Sequence, residues 1–298
     1  MLPHGNTLKD LFTYADTRWQ KMPDESEKET MKQILAEDLF GTEMMHLRQP
    51  ERIRFTESQM LTWMKAVKKI AAEEPIQYVT GKATFYGLVF EVNPSVLIPR
   101  PETEELVDMV LRQYPDNNHL NVIDFCTGSG CIPVTLKNNR KSWNITATDV
   151  SLEALFTAKI NATKYETEIH FFEGDLLTES GIPVGDWDLM ISNPPYVAQS
   201  EELGMSPNVL KHEPHLALFV PDDDALKFYR RLAEIASERL LPDGKLFAEL
   251  NPMFAQECAA LFNAKGFEVS LHIDLSGKTR FLEASRVLGL GSARQIAI

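Results

Sequence analysis

The sequence predicts an α/β fold: a mainly parallel sheet covered by helices on both faces, preceded by a small all-helical domain. Two observations carry this expectation. From Leu120 onward, short apolar and β-branched runs alternate with amphipathic helical segments, the order that lays strands side by side under helices. Before residue 74, by contrast, the apolar residues recur at helical spacing.

In the helical part, Leu8, Leu11, Phe12, Ala15 and Trp19 fall on one helix face, and residues 27–40 and 56–73 continue the theme. Thr56 is an N-cap candidate with Gln59 at the capping-box position, while Gly41 and Pro50 punctuate. Residues 75–98 change character. They are rich in β-branched and aromatic side chains with breaks at Gly81 and Gly87, which predicts a hairpin-like connector. A helix follows from Pro99, with proline near its start and acidic residues in its first turn. Strands are then predicted at 120–125, 143–149, 168–175, 187–193 and 244–250, with a final pair within 267–286. Helices are expected from near Pro133, at 151–163, at 223–241 and at 252–266, and the last residues, 288–298, read as a loose tail. The expected organisation is a helical domain at 1–74, the connector, and an α/β domain at 99–298.

Composition narrows the function. The 298 residues are 44% hydrophobic and 24% charged, an ordinary globular balance. A net charge of -13, from 43 acidic and 30 basic residues, counts against a nucleic-acid clamp, which must neutralise phosphates. Cys126, Cys131 and Cys258 have no framework spacing, so reduced thiols are expected. The first ten residues lack the plan of a secretory leader and no apolar run reaches membrane length, so a cytoplasmic protein without membrane partners is expected.

Three predicted strand ends carry the chemistry. Val122-Ile-Asp-Phe-Cys-Thr-Gly-Ser-Gly-Cys131 sits between a strand and a helix, where backbone N–H groups and a helix N-terminus can face a polar ligand. It is neither G-x-G-x-x-G nor a P-loop, so a dinucleotide or triphosphate is poorly supported. Asp149 ends the next strand, where it can accept from ribose hydroxyls, and Asp175 ends the third, where it can accept from an adenine amino group with Leu176 beside the ring. Together they favour a nucleoside-containing ligand without phosphates. The fourth strand ends in Asn193-Pro194-Pro195-Tyr196. Proline ends a strand and stiffens the backbone around it, which fixes the pose of its neighbours.

This arrangement resembles that of the S-adenosylmethionine-dependent methyltransferases of class I, with their Rossmann-like seven-stranded sheet. Asn-Pro-Pro-Tyr is the motif of those that methylate planar nitrogens. An amide nitrogen is a poor nucleophile because its lone pair is delocalised. The Asn193 side-chain oxygen and the Pro194 carbonyl can accept from its two N–H groups and turn the lone pair toward a methyl donor, with Tyr196 stacked on the planar group. No strong base is required, because the nitrogen becomes acidic once methylated.

The connector and the helix after it, residues 74–107, closely resemble those of the HemK/PrmC family, the protein-(glutamine-N5) methyltransferases of class 1 peptide chain release factors. The order of helical domain, connector, nucleoside crevice and Asn-Pro-Pro-Tyr extends the likeness over nearly the whole chain. Sister enzymes acting on a ribosomal large-subunit protein typically carry a Val-Pro-Arg-Ser-Pro type sequence where this chain has Ile98-Pro99-Arg100-Pro101-Glu102. The resemblance implies S-adenosyl-L-methionine as cofactor, S-adenosyl-L-homocysteine as product, and the glutamine of a Gly-Gly-Gln loop as substrate. It also implies that Thr127, Gly128, Ser129 and Gly130 line the methionine end of the cofactor and Asp149 its ribose. Arg100 and Thr103 would close that site, with Phe85 at its border and Pro195 beside the substrate. Some positions depart from the family. Cys126 stands where glycine is usual, which calls for a negative φ or a looser turn, and Leu176 replaces a larger residue. Residues 219–230 replace a glycine-rich stretch, and Glu249-Leu-Asn-Pro replaces Glu-Ile-Gly.

Several features have plainer readings. His212 and His215 have no third ligand placed by sequence, so no metal site is expected. Cys126 and Cys131 read as buried small residues, and Pro221–Asp224 as a cap for the helix after it. The competing functions are an adenine-N6 nucleic-acid methyltransferase built on the same tetrapeptide and a non-catalytic module that keeps only the fold.

Overall fold

The computed structural model describes residues 3, 5–20, 22, 24–41, 49–116 and 118–286; the tail predicted at 288–298 lies outside them. The described chain divides into two compact units, one of residues up to Lys82 together with Ser206–His212, the other of the remainder.

The first unit is helical. Helix α1 (Leu8–Arg18) opens with a capping box in which the Thr7 side chain accepts from the Asp10 N–H and Asp10 accepts from the Thr7 N–H. Helix α2 (Glu25–Phe40) starts on Asp24 and ends at Gly41 in the left-handed region. Helix α3 (Glu57–Ala71) has the Thr56–Gln59 capping box that the sequence foreshadows. Their apolar faces meet around Leu8, Leu11, Trp19, Trp63 and Val67. Both indoles of this helical core are satisfied, Trp63 Nε1 donating to the Leu11 carbonyl at 2.9 Å and Trp19 Nε1 to that of Val67 at 3.1 Å. A short helix α4 (Ile76–Thr80), between Pro75 and a left-handed Gly81, occupies the start of the predicted connector. Five residues are too few for a helical period to declare itself.

The connector then forms the predicted hairpin, β1 (Lys82–Phe85) and β2 (Leu88–Glu91). Its two-residue turn has φ of 49° at Tyr86 and 74° at Gly87, as a type I′ turn needs. Helix α5 (Pro101–Gln113) has Pro101 in its first turn with Glu102 and Glu104, the charge sign its N-terminus favours. Strands and helices then alternate: β3 (Asn121–Phe125), α6 (Cys131–Asn139), β4 (Asn144–Asp149), α7 (Leu152–Lys164), β5 (Ile169–Glu173) and β6 (Trp187–Ser192). Helix α6 begins two residues before Pro133, because proline is tolerated in the first turn, where its missing N–H has no helical partner. Next come β7 (Val197–Ala198), α8 (Pro207–His212, within the helical unit) and β8 (Phe219–Val220), then α9 (Lys227–Arg239), β9 (Leu240–Glu249), α10 (Ala255–Ala264), β10 (Phe267–Ile273) and β11 (Thr279–Arg286).

The main sheet has seven strands in the order β10-β11-β9-β6-β3-β4-β5. Only β11 runs antiparallel to its neighbours, β9 and β10. Side chains alternate between two buried layers. Ile123 and Phe125 pack with Leu246, Leu282 and the helices α9 and α10, while Val122, Leu189 and Phe247 pack with α5, α6 and the hairpin residue Phe90. The chain order reverses between β3 and β6, the place where ligands settle in open α/β sheets.

One capping expectation is corrected. Asp222–Asp224 form a separate 3₁₀ turn, and α9 starts only at Lys227, with Leu226 before it and no side-chain cap. Asp222 instead accepts from the Ser200 N–H and hydroxyl at 2.9 and 2.8 Å, and Asp224 pairs with Arg230.

Candidate active site

A cleft of about 270 Å³ opens at the carboxyl ends of the central strands. The turns after β3, β4, β5 and β6 all contribute to it, through Gly128, Asp149, Leu176 and Asn193 among others.

The turn after β3 alternates in backbone hand. Cys126, Gly128 and Gly130 have φ of 60°, 55° and 77°, with Thr127 and Ser129 between them outside the left-handed region. The expectation of a negative φ at Cys126 is therefore overturned. The close turn is kept and a non-glycine residue bears the left-handed strain, roughly 1–2 kcal/mol. Asp149 holds the turn from the next strand. Its Oδ2 accepts from the Gly128 N–H at 2.9 Å and its Oδ1 from the Ser151 N–H at 2.9 Å. Burial raises its pKa against the pull of these N–H groups. From behind, the Asn161 side chain donates to the Ser129 carbonyl at 2.9 Å and also bonds both backbone groups of Glu91 on the hairpin. The Thr127 and Ser129 hydroxyls and both Asp124 carboxyl oxygens are buried without a hydrogen-bond partner among the described residues. Burial holds the Asp124 carboxyl up at about 8, opposed by the neighbouring Thr127 hydroxyl and reinforced by Asp149.

The Asn-Pro-Pro-Tyr corner is held by a chain of side chains. Asn193 Nδ2 donates to Thr103 Oγ1 at 3.0 Å, Thr103 Oγ1 donates to Glu249 Oε2 at 2.7 Å, and Tyr196 donates to Glu249 Oε1 at 2.8 Å. Asn193 Oδ1 has no partner among the described residues, and the residue lines the cleft. Burial and the Glu249 carboxylate raise the Tyr196 pKa far above its ordinary value, so the phenol remains a donor. Asn251 adds a bond from Nδ2 to the Tyr196 carbonyl at 3.2 Å. Glu249 keeps the first residue of the Glu-Ile-Gly pattern and Asn251 departs from its third, and nothing in that segment marks either residue as part of a site.

Of the predicted residues, Arg100, Thr103, Thr127, Gly128, Ser129, Asp149, Leu176, Asn193 and Pro195 line the cleft. Arg100 is aimed by Glu213, whose Oε1 receives its guanidinium at 2.6 Å and whose Oε2 accepts from the Ile98 N–H at 3.3 Å. Five predicted residues are placed otherwise. Phe85 is fully buried and meets Phe90 edge-on, because hairpin alternation turns it into the core. Gly130 faces Ala158 on α7 rather than the cleft. Asp175 lies beside the cleft between Gly174 and Leu176, its carboxylate accepting from the Leu177 N–H at 2.9 Å as turn aspartates do. Pro194 is buried and Tyr196 half-buried, and neither lines the cleft. Among the described residues no group of His, Cys, Asp or Glu side chains is placed to hold a metal ion.

Comparison with known proteins shows what this chain is similar to. The family model for the Methyltransferase small domain matches residues 104–215. A Bacteroides thetaiotaomicron protein named release factor glutamine methyltransferase is 38% identical over 280 residues, spanning 94% of this chain and 100% of its own. The chain belongs to the release factor glutamine methyltransferase family. A Flavobacterium psychrophilum protein of the same name is 36% identical over 266 residues, covering 88% and 93% of the two chains. Our chain is thus a methyltransferase, as its sequence resemblance implies. The solved structure of a methyltransferase from Pyrococcus furiosus, 17% identical, shares its fold with a TM-score of 0.51 over 78% of this chain and 99% of that one. The seven-stranded sheet of this methyltransferase is that of the class I, Rossmann-like fold.

Proposed function

We propose that this methyltransferase transfers a methyl group from S-adenosyl-L-methionine to the side-chain amide of the glutamine in the Gly-Gly-Gln motif of class 1 peptide chain release factors, in the cytoplasm. S-adenosyl-L-homocysteine and N5-methylglutamine are the products. The observation that carries the reading is the Asn193 amide, its nitrogen engaged by Thr103 and its oxygen unpaired at the cleft. The names of the relatives support the choice of substrate.

The cleft suits the cofactor. Buried, unpartnered oxygens on Asp124, Thr127 and Ser129 gather at the glycine turn, where an ammonium and carboxylate would satisfy them. Asp149 keeps lone pairs beyond its two backbone bonds for ribose hydroxyls, Leu176 offers an apolar wall for adenine, and Arg100 borders the methionine end. When bound, the cofactor supplies a methyl electrophile on a positively charged sulfur.

Asn193 Oδ1 and the Pro194 carbonyl accept from the two N–H groups of the glutamine amide, which turns its lone pair toward the cleft. Pro194 and Pro195 make that pose permanent, so orientation lowers the barrier without a strong base. Tyr196, tied to Glu249, provides the face for the planar amide. The helical domain at 1–74 and the connector contribute to recognition of the protein substrate. No nucleic acid is needed.

The test incubates the chain with methyl-labelled cofactor and, separately, a release factor, a ribosomal large-subunit protein and DNA, and locates the label by mass spectrometry. Label on the Gly-Gly-Gln glutamine is the expected result. Label only on the ribosomal protein or on adenine would replace the substrate, and cofactor binding with no transfer to any would leave a non-catalytic module.

A further inference from the structure

Asn193 can serve as an acceptor only if its amide is held the right way round. Its two ends have nearly the same shape, so hydrogen bonding must choose between them. Thr103 Oγ1 is the neighbour that chooses. A threonine hydroxyl has one proton, and here that proton goes to Glu249 Oε2 at 2.7 Å. Oγ1 is then left only as an acceptor toward Asn193, which must present Nδ2 to it. The second oxygen of Glu249 accepts from Tyr196 at 2.8 Å, so both donors converge on one carboxylate.

We infer that Glu249 is a positioning residue for methyl transfer: as an ionised acceptor of two hydroxyl protons, it sets the polarity of the chain Glu249–Thr103–Asn193 and keeps Asn193 Oδ1 turned to the cleft. The inference rests on the glutamine reading of the proposed function, because only a substrate with N–H groups to donate needs an acceptor there. If Glu249 gains a proton or becomes an amide, it carries a donor of its own. One of the two hydroxyls must then reverse. A reversed Thr103 hydroxyl points at Asn193, favours the flipped amide, and sets an NH₂ group against the NH₂ of the substrate. Two donors then face each other and the lone pair is no longer aimed.

The surroundings of Glu249 fit a group whose charge matters. It is fully buried, 1% exposed, at the end of β9. Besides the two hydroxyls, it is faced by Arg280 on β11, which favours its charge, and by Glu102 on α5, which opposes it. The Tyr229 hydroxyl on α9 donates to its backbone carbonyl at 2.9 Å and leaves the carboxylate alone. Burial raises its pKa, with the Thr103 and Tyr196 hydroxyls and Arg280 opposing.

The test measures kcat for methyl transfer to a release factor across pH, at saturating S-adenosyl-L-methionine, in the wild-type chain and in Glu249→Gln. The expected result is a kcat lowered by about 10- to 100-fold in the variant. The wild-type acid limb, where Glu249 takes up its proton, should be absent from the variant, with S-adenosyl-L-homocysteine affinity unchanged. A second pair reads the same chain without touching the carboxylate. Thr103→Ser keeps the hydroxyl and should turn over faster than Thr103→Val, which removes it. A Glu249→Gln variant with wild-type kcat, an acid limb that persists in it, or equal turnover for Thr103→Ser and Thr103→Val would overturn the inference. A wild-type chain that methylates no release factor would instead remove the parent reading, so the two failures are distinguishable.

Discussion

Gly130 and Gly128 sit two residues apart in the same turn, yet replacing them with alanine should have different consequences. Both have positive φ, so alanine at either position carries left-handed strain of roughly 1–2 kcal/mol. At Gly128 nothing else lies within 4 Å of the added Cβ. At Gly130 the Cβ would stand 2.9 Å from the Cβ of Ala158 and 3.2 Å from its Cα, a part of α7 that has no rotamer to give way. Overpacking of that kind adds about 1–3 kcal/mol, so Gly130→Ala should destabilise the sheet unit by about 3 kcal/mol against about 1.5 kcal/mol for Gly128→Ala. For a unit of this size, 1 kcal/mol moves the thermal midpoint by about 2–4 °C, which predicts a drop of about 6–12 °C against about 3–6 °C. Differential scanning calorimetry of the ligand-free chain measures both. Ala158→Gly should recover part of the loss in the Gly130→Ala background, a coupling that a double-mutant cycle isolates. Equal midpoints for the two glycine variants, or additive effects with Ala158→Gly, would show that the contact with α7 is not what requires glycine.

Three further predictions concern the cleft. Asn193→Ala should lower turnover at least about 100-fold while S-adenosyl-L-homocysteine still binds; unchanged turnover would remove its proposed role. Asp149→Ala removes both its backbone bonds and the proposed ribose acceptor, so cofactor affinity should fall about 10- to 100-fold by calorimetric titration, and an unaltered isotherm would contradict it. Asp124 sets a pH dependence. Its folded pKa of about 8 exceeds the ordinary 3.8, so the unfolded chain releases this proton first and stability is lost as pH rises from about 4 to about 8. The ceiling on that loss is about 6 kcal/mol, and Asp124→Asn should therefore be more stable than wild type at about pH 8, with the gap closing toward about pH 4. Parallel midpoint-versus-pH curves would refute it.

What the sequence discloses here is mostly local. The capping box at Thr56 and the strand–helix alternation rest on residues a few positions apart, so they are legible without the fold. The three strand ends that meet at the cleft follow from topology, which alternation also fixes. The network behind Asn193 is different, since its partners are 90 and 146 residues apart and no spacing announces them. Phe85 illustrates the converse. The family resemblance puts Phe85 at the border of the site, but the pleat of a four-residue strand turns it into the core. The acidic run before α9 resembles a cap, yet its carboxylates are taken by Ser200 and Arg230, one of them far away in sequence. At Cys126 the side chain argued for one backbone hand and the closure of the turn imposed the other.

Asn161 ties two places that share no ligand. Its amide copies the pairing of a neighbouring strand at Glu91, accepting from the N–H at 2.7 Å and donating to the carbonyl at 3.0 Å, while the same nitrogen grips the Ser129 carbonyl. The hairpin edge and the turn after β3 therefore loosen together or not at all. Occupying the cleft should slow deuterium uptake at the Glu91 amide, which makes this hairpin edge a remote gauge of how full the cleft is.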